Sequence, residues 1–241
     1  ARLFTLSWAW LSKENPDPEG VQLQQCVGIL NQEHAKDSDL IFVDYTSLPQ
    51  APRTAEEDRR FRSALTEMYR LFIFNRVEVI LIHIPGSEEV SDYFDRGWCK
   101  VELYWACYCK RILHATGSGA GDVAALVRKA TDPEVLADVR QNLNNSVWAC
   151  KKADLENVQR LLRHIFSQMP PACSDDAGFE YFCTRAQLAW LFVGYVKDLA
   201  SLTGPFPRRQ ELRDGGYIVG VPPVGCRRFV VSHGWESEVH P

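Results

Sequence analysis

The residues able to do chemistry in this chain fall just beyond its short apolar runs. Ser7, Trp8 and Trp10 follow the first run, Asp44, Tyr45, Thr46 and Ser47 follow the second, and His83 lies towards the end of the third. If the runs are parallel strands of an open sheet, their carboxyl ends line the crevice in which such sheets bind ligands. Glu102 joins the set by another route. It lies near the start of an amphipathic stretch, about 100° around a helix from Val101, so its carboxylate falls at the rim of the apolar face. A carboxylate among aromatics can hold a ribose or stabilise a developing positive charge, and Trp8 or Trp10 can stack on a flat ring. The plainer reading is a solvated glutamate in a first helical turn, favoured by the helix dipole. Ser7, Asp44 and His83 do not form a hydrolase triad on these grounds, because no Gly-x-Ser-x-Gly elbow exists. His83 reads as structural.

The elements that must position these residues alternate. Phe4 to Ser7, Leu40 to Val43 and Val77 to Ile84 read as strands, the second being the continuous apolar run typical of a buried parallel strand. Asp17-Pro18 reads as a helix start, and Leu23, Cys26, Val27, Leu30 and His34 share one face of that helix. Asp44 to Pro52 reads as a loop. Thr54 to Glu57 is a capping box opening a helix with the stripe Phe61, Ala64, Leu65, Met68 and Phe72. Arg59, Arg60 and Arg62 lie on its polar face as solvated charge. A further helix is expected from about Trp98 to Leu113, another from Asp132, a short strand over Val147 to Cys150, and a helix carrying Leu155, Val158, Leu162 and Ile165. Alternation of this kind implies an α/β fold, a parallel sheet with helices on both faces. After Pro170-Pro171, Phe179 to Leu202 reads as one long helix, and Gly204 to Gly225, with four prolines and five glycines, as an extended connector.

A repeat is visible at the far end. Phe229, Ser232, Trp235 and Ser237 reproduce Phe4, Ser7, Trp10 and Ser12, each 225 positions further on, and Pro241 matches Pro16. This predicts one unit over 1–169, a helical extension over 170–203, the connector over 204–227, and the first strand of a second unit over 228–241.

Composition narrows the function. With 46% hydrophobic and 11% aromatic residues the chain has the material for a folded core, and disorder is excluded. A net charge of −4 argues against a nucleic-acid-binding surface. No apolar run reaches the length of a membrane span; the best stretch, Ala186 to Val196, is short and flanked by Arg185 and Lys197. The eight cysteines include no Cys-x-x-Cys pair, and the six histidines are scattered, so no metal site is expected. Cysteines on apolar faces read as reduced, which places the protein inside the cell, in a compartment that the start of this sequence does not specify because it opens within a strand. Gly117 to Gly121 lacks the Gly-Lys-Ser/Thr of a phosphate loop and reads as a linker.

The segment Arg96-Gly97-Trp98-Cys99-Lys100-Val101-Glu102-Leu103 resembles the Trp-Cys-x-x-Glu-Leu segment of Toll/interleukin-receptor (TIR) domains. Leu3 to Trp8 looks like that family's first strand, and Asp39 to Gln50 like its second strand and following loop. The similarity spans about residues 3–168 and is closest to divergent TIR-like domains of algae and protists. It implies a flavodoxin-like three-layer fold, whose members either associate through TIR–TIR contacts or cleave NAD. In cleaving members the motif glutamate is the catalytic carboxylate, which implies Glu102 here, with Ser7, Trp8, Trp10, Asp44, Tyr45, Ser47 and Trp98 as substrate-binding candidates. Breaking the nicotinamide–ribose bond builds oxocarbenium-like charge that a carboxylate stabilises. NAD would be a substrate, and no cofactor is implied.

Two function classes follow. One is a TIR-like protein interaction or scaffold module, working by self-association or as an accessory subunit of a larger assembly. The other is an NAD glycohydrolase using Glu102. Trp8 stands where many relatives carry a basic residue, whereas His233 takes that place in the second repeat, and this favours the interaction module. A crevice between Ser7, Asp44 and Glu102 deep enough for a nucleotide would support the enzyme. One filled by Trp8, Trp10 or Tyr45 would support the scaffold.

Overall fold

The computed structural model describes residues 3–12, 15–74, 77–83, 93–108, 112–116, 143, 145–146, 155–160, 176–202, 206–223 and 232–234. The expected helix from Asp132, the strand over Val147 to Cys150, the Gly117 to Gly121 linker and much of the helix around Leu162 lie outside them.

The chain is α/β. Strands β1 (Leu3–Ala9), β2 (Leu40–Phe42), β3 (Glu78–Ile82) and β4 (Ile112–Thr116) pair in parallel in the order β4-β3-β1-β2. On the β2 edge the sheet continues with two antiparallel strands, β5 (Ala189–Phe192) and β6 (Tyr217–Val219). A last short strand, β7 (Ser232–Gly234), pairs in parallel with β1 alone. The expectation of a wholly parallel sheet is thereby corrected. β1 sits at the centre, flanked by β3 over Phe4–Trp8 and by β2 over Leu3–Thr5.

Helix α1 (Val21–Gln32) starts later than Asp17-Pro18 suggests, yet Asp17 still does the capping: its Oδ2 accepts the Leu23 backbone N–H at 2.7 Å. The helix stops before His34, which adopts a left-handed φ of 54°. The His34 and Ala35 N–H groups donate back to Asn31 and Leu30 carbonyls at 3.0 and 2.8 Å, the paired bonds of a Schellman ending. Asp44–Ser47, expected as loop, is a single helical turn, α2. Helix α3 (Ala55–Glu67) opens with the full capping box between Thr54 and Glu57 and runs, past a turn at Met68, into the short α4 (Tyr69–Ile73). Arg59 and Arg60 pair with Glu56, and Arg62 with Asp58, all on the solvated face as expected.

Helix α5 (Gly97–Tyr108) ends sooner than expected, and Ile112, assigned by its spacing to the helical stripe, instead faces Val79 across the β3–β4 ladder. A short apolar stretch such as Ile112–Ala115 suits either structure, and pairing with the open edge of β3 decides it. The single helix expected over Phe179 to Leu202 is likewise broken into α6 (Asp176–Ala186), β5 and α7 (Val193–Ser201). Gln187 at φ 50° makes the break, with Gln187 and Leu188 donating to Thr184 and Cys183 carbonyls in a second Schellman ending. The freed run Ala189-Trp190-Leu191 is buried throughout and satisfies its backbone against β2 and β6.

Aromatic side chains cluster within the largely aliphatic core. Trp190 meets Phe42 and Phe179, Phe179 stacks on Phe74 at 4.2 Å, and Trp105 contacts Tyr69 and Phe72. Each such ring stabilises by roughly 1.5–3 kcal/mol on burial. No helix among the described residues is long and apolar enough to cross a membrane.

Candidate functional site

Ser7 stands near the carboxyl end of β1, and Glu102 in the second turn of α5. The Ser7 hydroxyl donates to Glu102 Oε2 at 3.0 Å. With that proton committed, Tyr93 donates in the 2.6 Å contact with the Ser7 hydroxyl, and its phenol oxygen also lies 3.2 Å from the Cys99 carbonyl, the single phenol proton serving one acceptor at a time. Tyr93 opens the short 3-10 turn Tyr93–Asp95 that precedes α5, so the turn, the helix and β1 are tied through one buried polar cluster. Glu102 and Tyr93 are both 0% exposed. The Cys99 thiol lies 3.7 Å from the Trp8 carbonyl as donor, and Arg96 Nη2 donates to the Trp10 carbonyl at 2.8 Å. The Trp98-to-Leu103 segment therefore fastens α5 to the end of β1 through its side chains.

The aromatic residues expected to line an opening are packed into the core. Trp8, Trp10 and Tyr45 are all buried; Trp10 and Tyr45 meet edge to face at 5.3 Å, and Trp8 meets Phe206 in the same way at 5.7 Å. Burial raises the Tyr45 hydroxyl to about 12, opposed in part by the Arg208 charge, so it stays protonated at physiological pH. Trp98 is buried within the apolar core. Asp44 is also buried and its Oδ1 accepts the Tyr45 backbone N–H at 2.8 Å, while the Ser47 hydroxyl accepts the Val43 N–H at 3.0 Å. Of the sequence-derived set, then, Ser7 and Glu102 come together, Trp10 and Tyr45 come together, and Asp44 and Ser47 hold the turn α2.

Several partners carry no sequence signal. Phe206 and the 3-10 turn Arg209–Glu211 belong to the stretch expected as extended connector, yet Phe206 packs on Trp8 and the turn clasps the α2 loop. Arg209 donates to the Ser47 carbonyl at 2.9 Å, Gln210 to that of Gln50 at 2.7 Å, and Arg208 to that of Ala51 at 3.3 Å. Proline and glycine content correctly marks irregular chain here, but irregular chain can still pack. Tyr93 had nothing in its neighbourhood to single it out, whereas Arg96 belongs to the segment that carries the family resemblance.

His83 is buried with its ring edge-on to Tyr93 at 6.5 Å. Cys26, Cys99 and Cys183 are buried, and burial pushes the Cys26 thiol up to about 12, helped by the nearby Asp17 charge. Among the described residues no three His, Cys, Asp or Glu side chains gather as a metal site. A cavity of about 600 Å³ lies elsewhere, between α7 and the turn at Arg213–Gly216, where Lys197 pairs with Asp37 at 3.0 Å. Comparison with protein families, with curated proteins and with solved structures finds no match for this chain.

Proposed function

We propose that this chain is a TIR-like protein interaction or scaffold module, acting by self-association or as an accessory subunit of a larger assembly. The observation that carries this reading is the burial of the carboxylate: Glu102 is fully buried against Ser7, and Trp8, Trp10 and Tyr45 near the carboxyl end of β1 are buried as well. A carboxylate that must meet a ribose needs solvent access, and Glu102 is 0% exposed. The parallel strands in the order β2-β1-β3-β4 support the flavodoxin-like part of the reading, since that is how such sheets begin. The buried cysteine thiols support a reducing, intracellular setting.

The direct test is nicotinamide release from NAD by the purified chain beside a Glu102→Gln variant, together with sedimentation over a range of micromolar concentrations. A scaffold gives no turnover in either protein and a sedimentation coefficient that rises with concentration or with added partner. The second reading, an NAD glycohydrolase, rests on the Ser7–Glu102 contact at the carboxyl end of the central strand. Turnover in the unsubstituted chain that vanishes with Glu102→Gln would establish it and overturn the first.

A further inference from the structure

β1 is covered unevenly. β3 pairs with it as far as Trp8, but β2 reaches only Thr5 before the chain turns into α2. The β2-side edge of β1 over Ser7–Ala9 is therefore left without its neighbour, at a place where Trp8 is 0% and Ala9 2% exposed. Buried backbone N–H and C=O groups left unpaired cost about 1–3 kcal/mol each; the Trp8 and Ala9 carbonyls take side-chain donors from Cys99 Sγ at 3.7 Å and Gln22 Nε2 at 2.9 Å, and a strand on this edge pairs the backbone there. The strand it has is β7, which pairs Ser7 with Ser232, Trp8 with His233 and Ala9 with Gly234, and packs between α2 and α5.

The register of this pairing matches the register of the repeat. Ser7 and Ser232 are equivalent in the two copies of the motif, 225 positions apart, and they are also the residues that face each other in the sheet. A one-residue slip would leave the sequence match intact but break the coincidence. We propose that the Ser7–Ala9 edge of β1 is an acceptor slot for a strand of the repeated Phe-x-x-Ser type, and that this chain's own residues 232–234 are its exchangeable occupant. The slot supplies main-chain hydrogen bonds, as in other strand-addition sites. The length of the occupant, three paired residues, makes release feasible where the longer β1–β3 ladder would hold. This inference does not depend on the proposed function, because a slot filled in this way is compatible with either a scaffold or an enzyme.

The test uses the full chain and a synthetic peptide with the sequence of residues 229–237, read by hydrogen–deuterium exchange. Excess peptide is expected to raise deuterium uptake at 232–234 by at least tenfold in rate while 7–9 stay protected, because one strand replaces another. A peptide with proline at the position of His233 should leave both segments unchanged. In a His233→Pro chain, uptake at 7–9 should rise and return to the original level when the unsubstituted peptide is added, which also shows that the variant is folded. The slot is refuted if saturating peptide leaves 232–234 as protected as before, or if the proline-bearing peptide acts equally well.

Discussion

Ser7 and Glu102, 95 residues apart in the chain, are joined by a 3.0 Å hydrogen bond that ties the central strand to helix α5. The contact is buried and shared with Tyr93, so it fastens three elements at once. A catalytic carboxylate and a structural one would look alike at the level of this pair. What separates them is access, and Glu102 is 0% exposed.

Removing the serine hydroxyl should therefore be felt as lost stability. In Ser7→Ala, Glu102 Oε2 and the Tyr93 phenol both lose a buried partner, and unfolding in urea is expected to come at lower denaturant, by about 1–3 kcal/mol. Tyr93→Phe, which leaves the Ser7–Glu102 bond in place, should cost less. Equal midpoints for Ser7→Ala and the unsubstituted chain would show that the cluster does not hold α5.

Asp17 gives a pH dependence of defined sign. Burial raises its carboxyl above the ordinary 3.8, although N–H groups of Leu23, Gln22 and Val21 favour the charged form. The folded state thus keeps a proton that the unfolded state releases, and stability falls as pH rises from 3.8 through the raised value. Asp17→Asn keeps an acceptor for Leu23 and cannot ionise. The stability of the substituted chain relative to the original should therefore increase as pH rises through that window, in urea titrations run from about pH 3.5 to 7. A constant difference would assign Asp17 an unshifted carboxyl.

Gly216 should resist even alanine. A Cβ there would lie 2.7 Å from the Tyr195 ring, whose hydroxyl accepts the Arg213 backbone N–H at 3.2 Å. Retreat of the ring toward the neighbouring cavity strains that bond, so Gly216→Ala is expected to destabilise, by about 1 kcal/mol. Adding Tyr195→Leu should recover part of the loss. Additive effects of the two changes in thermal unfolding would argue against the contact.

Much was legible because it depends on local chemistry. The apolar runs that became β1, β2 and β3, the Thr54–Glu57 capping box and the solvated arginines of α3 follow from neighbours a few residues apart. Glu102 could be singled out by its motif and its place on the helix, and Phe229 to Ser237 by its match to Phe4 to Ser12. What could not be read was every choice settled by a distant partner. Ile112 fits a helix until β3 offers an edge, and Trp190 fits one until β2 does. The endings at His34 and Gln187 use residues other than glycine, so no punctuation announces them. Whether Glu102 is buried depends on how β1 and Tyr93 meet α5, and whether Trp8 is buried depends on Phe206, so both are set by packing between segments up to about 200 residues apart. The sequence determined which residues are equipped for chemistry; the tertiary structure decided which of them water can reach, because burial belongs to the assembled core and to no single stretch of chain.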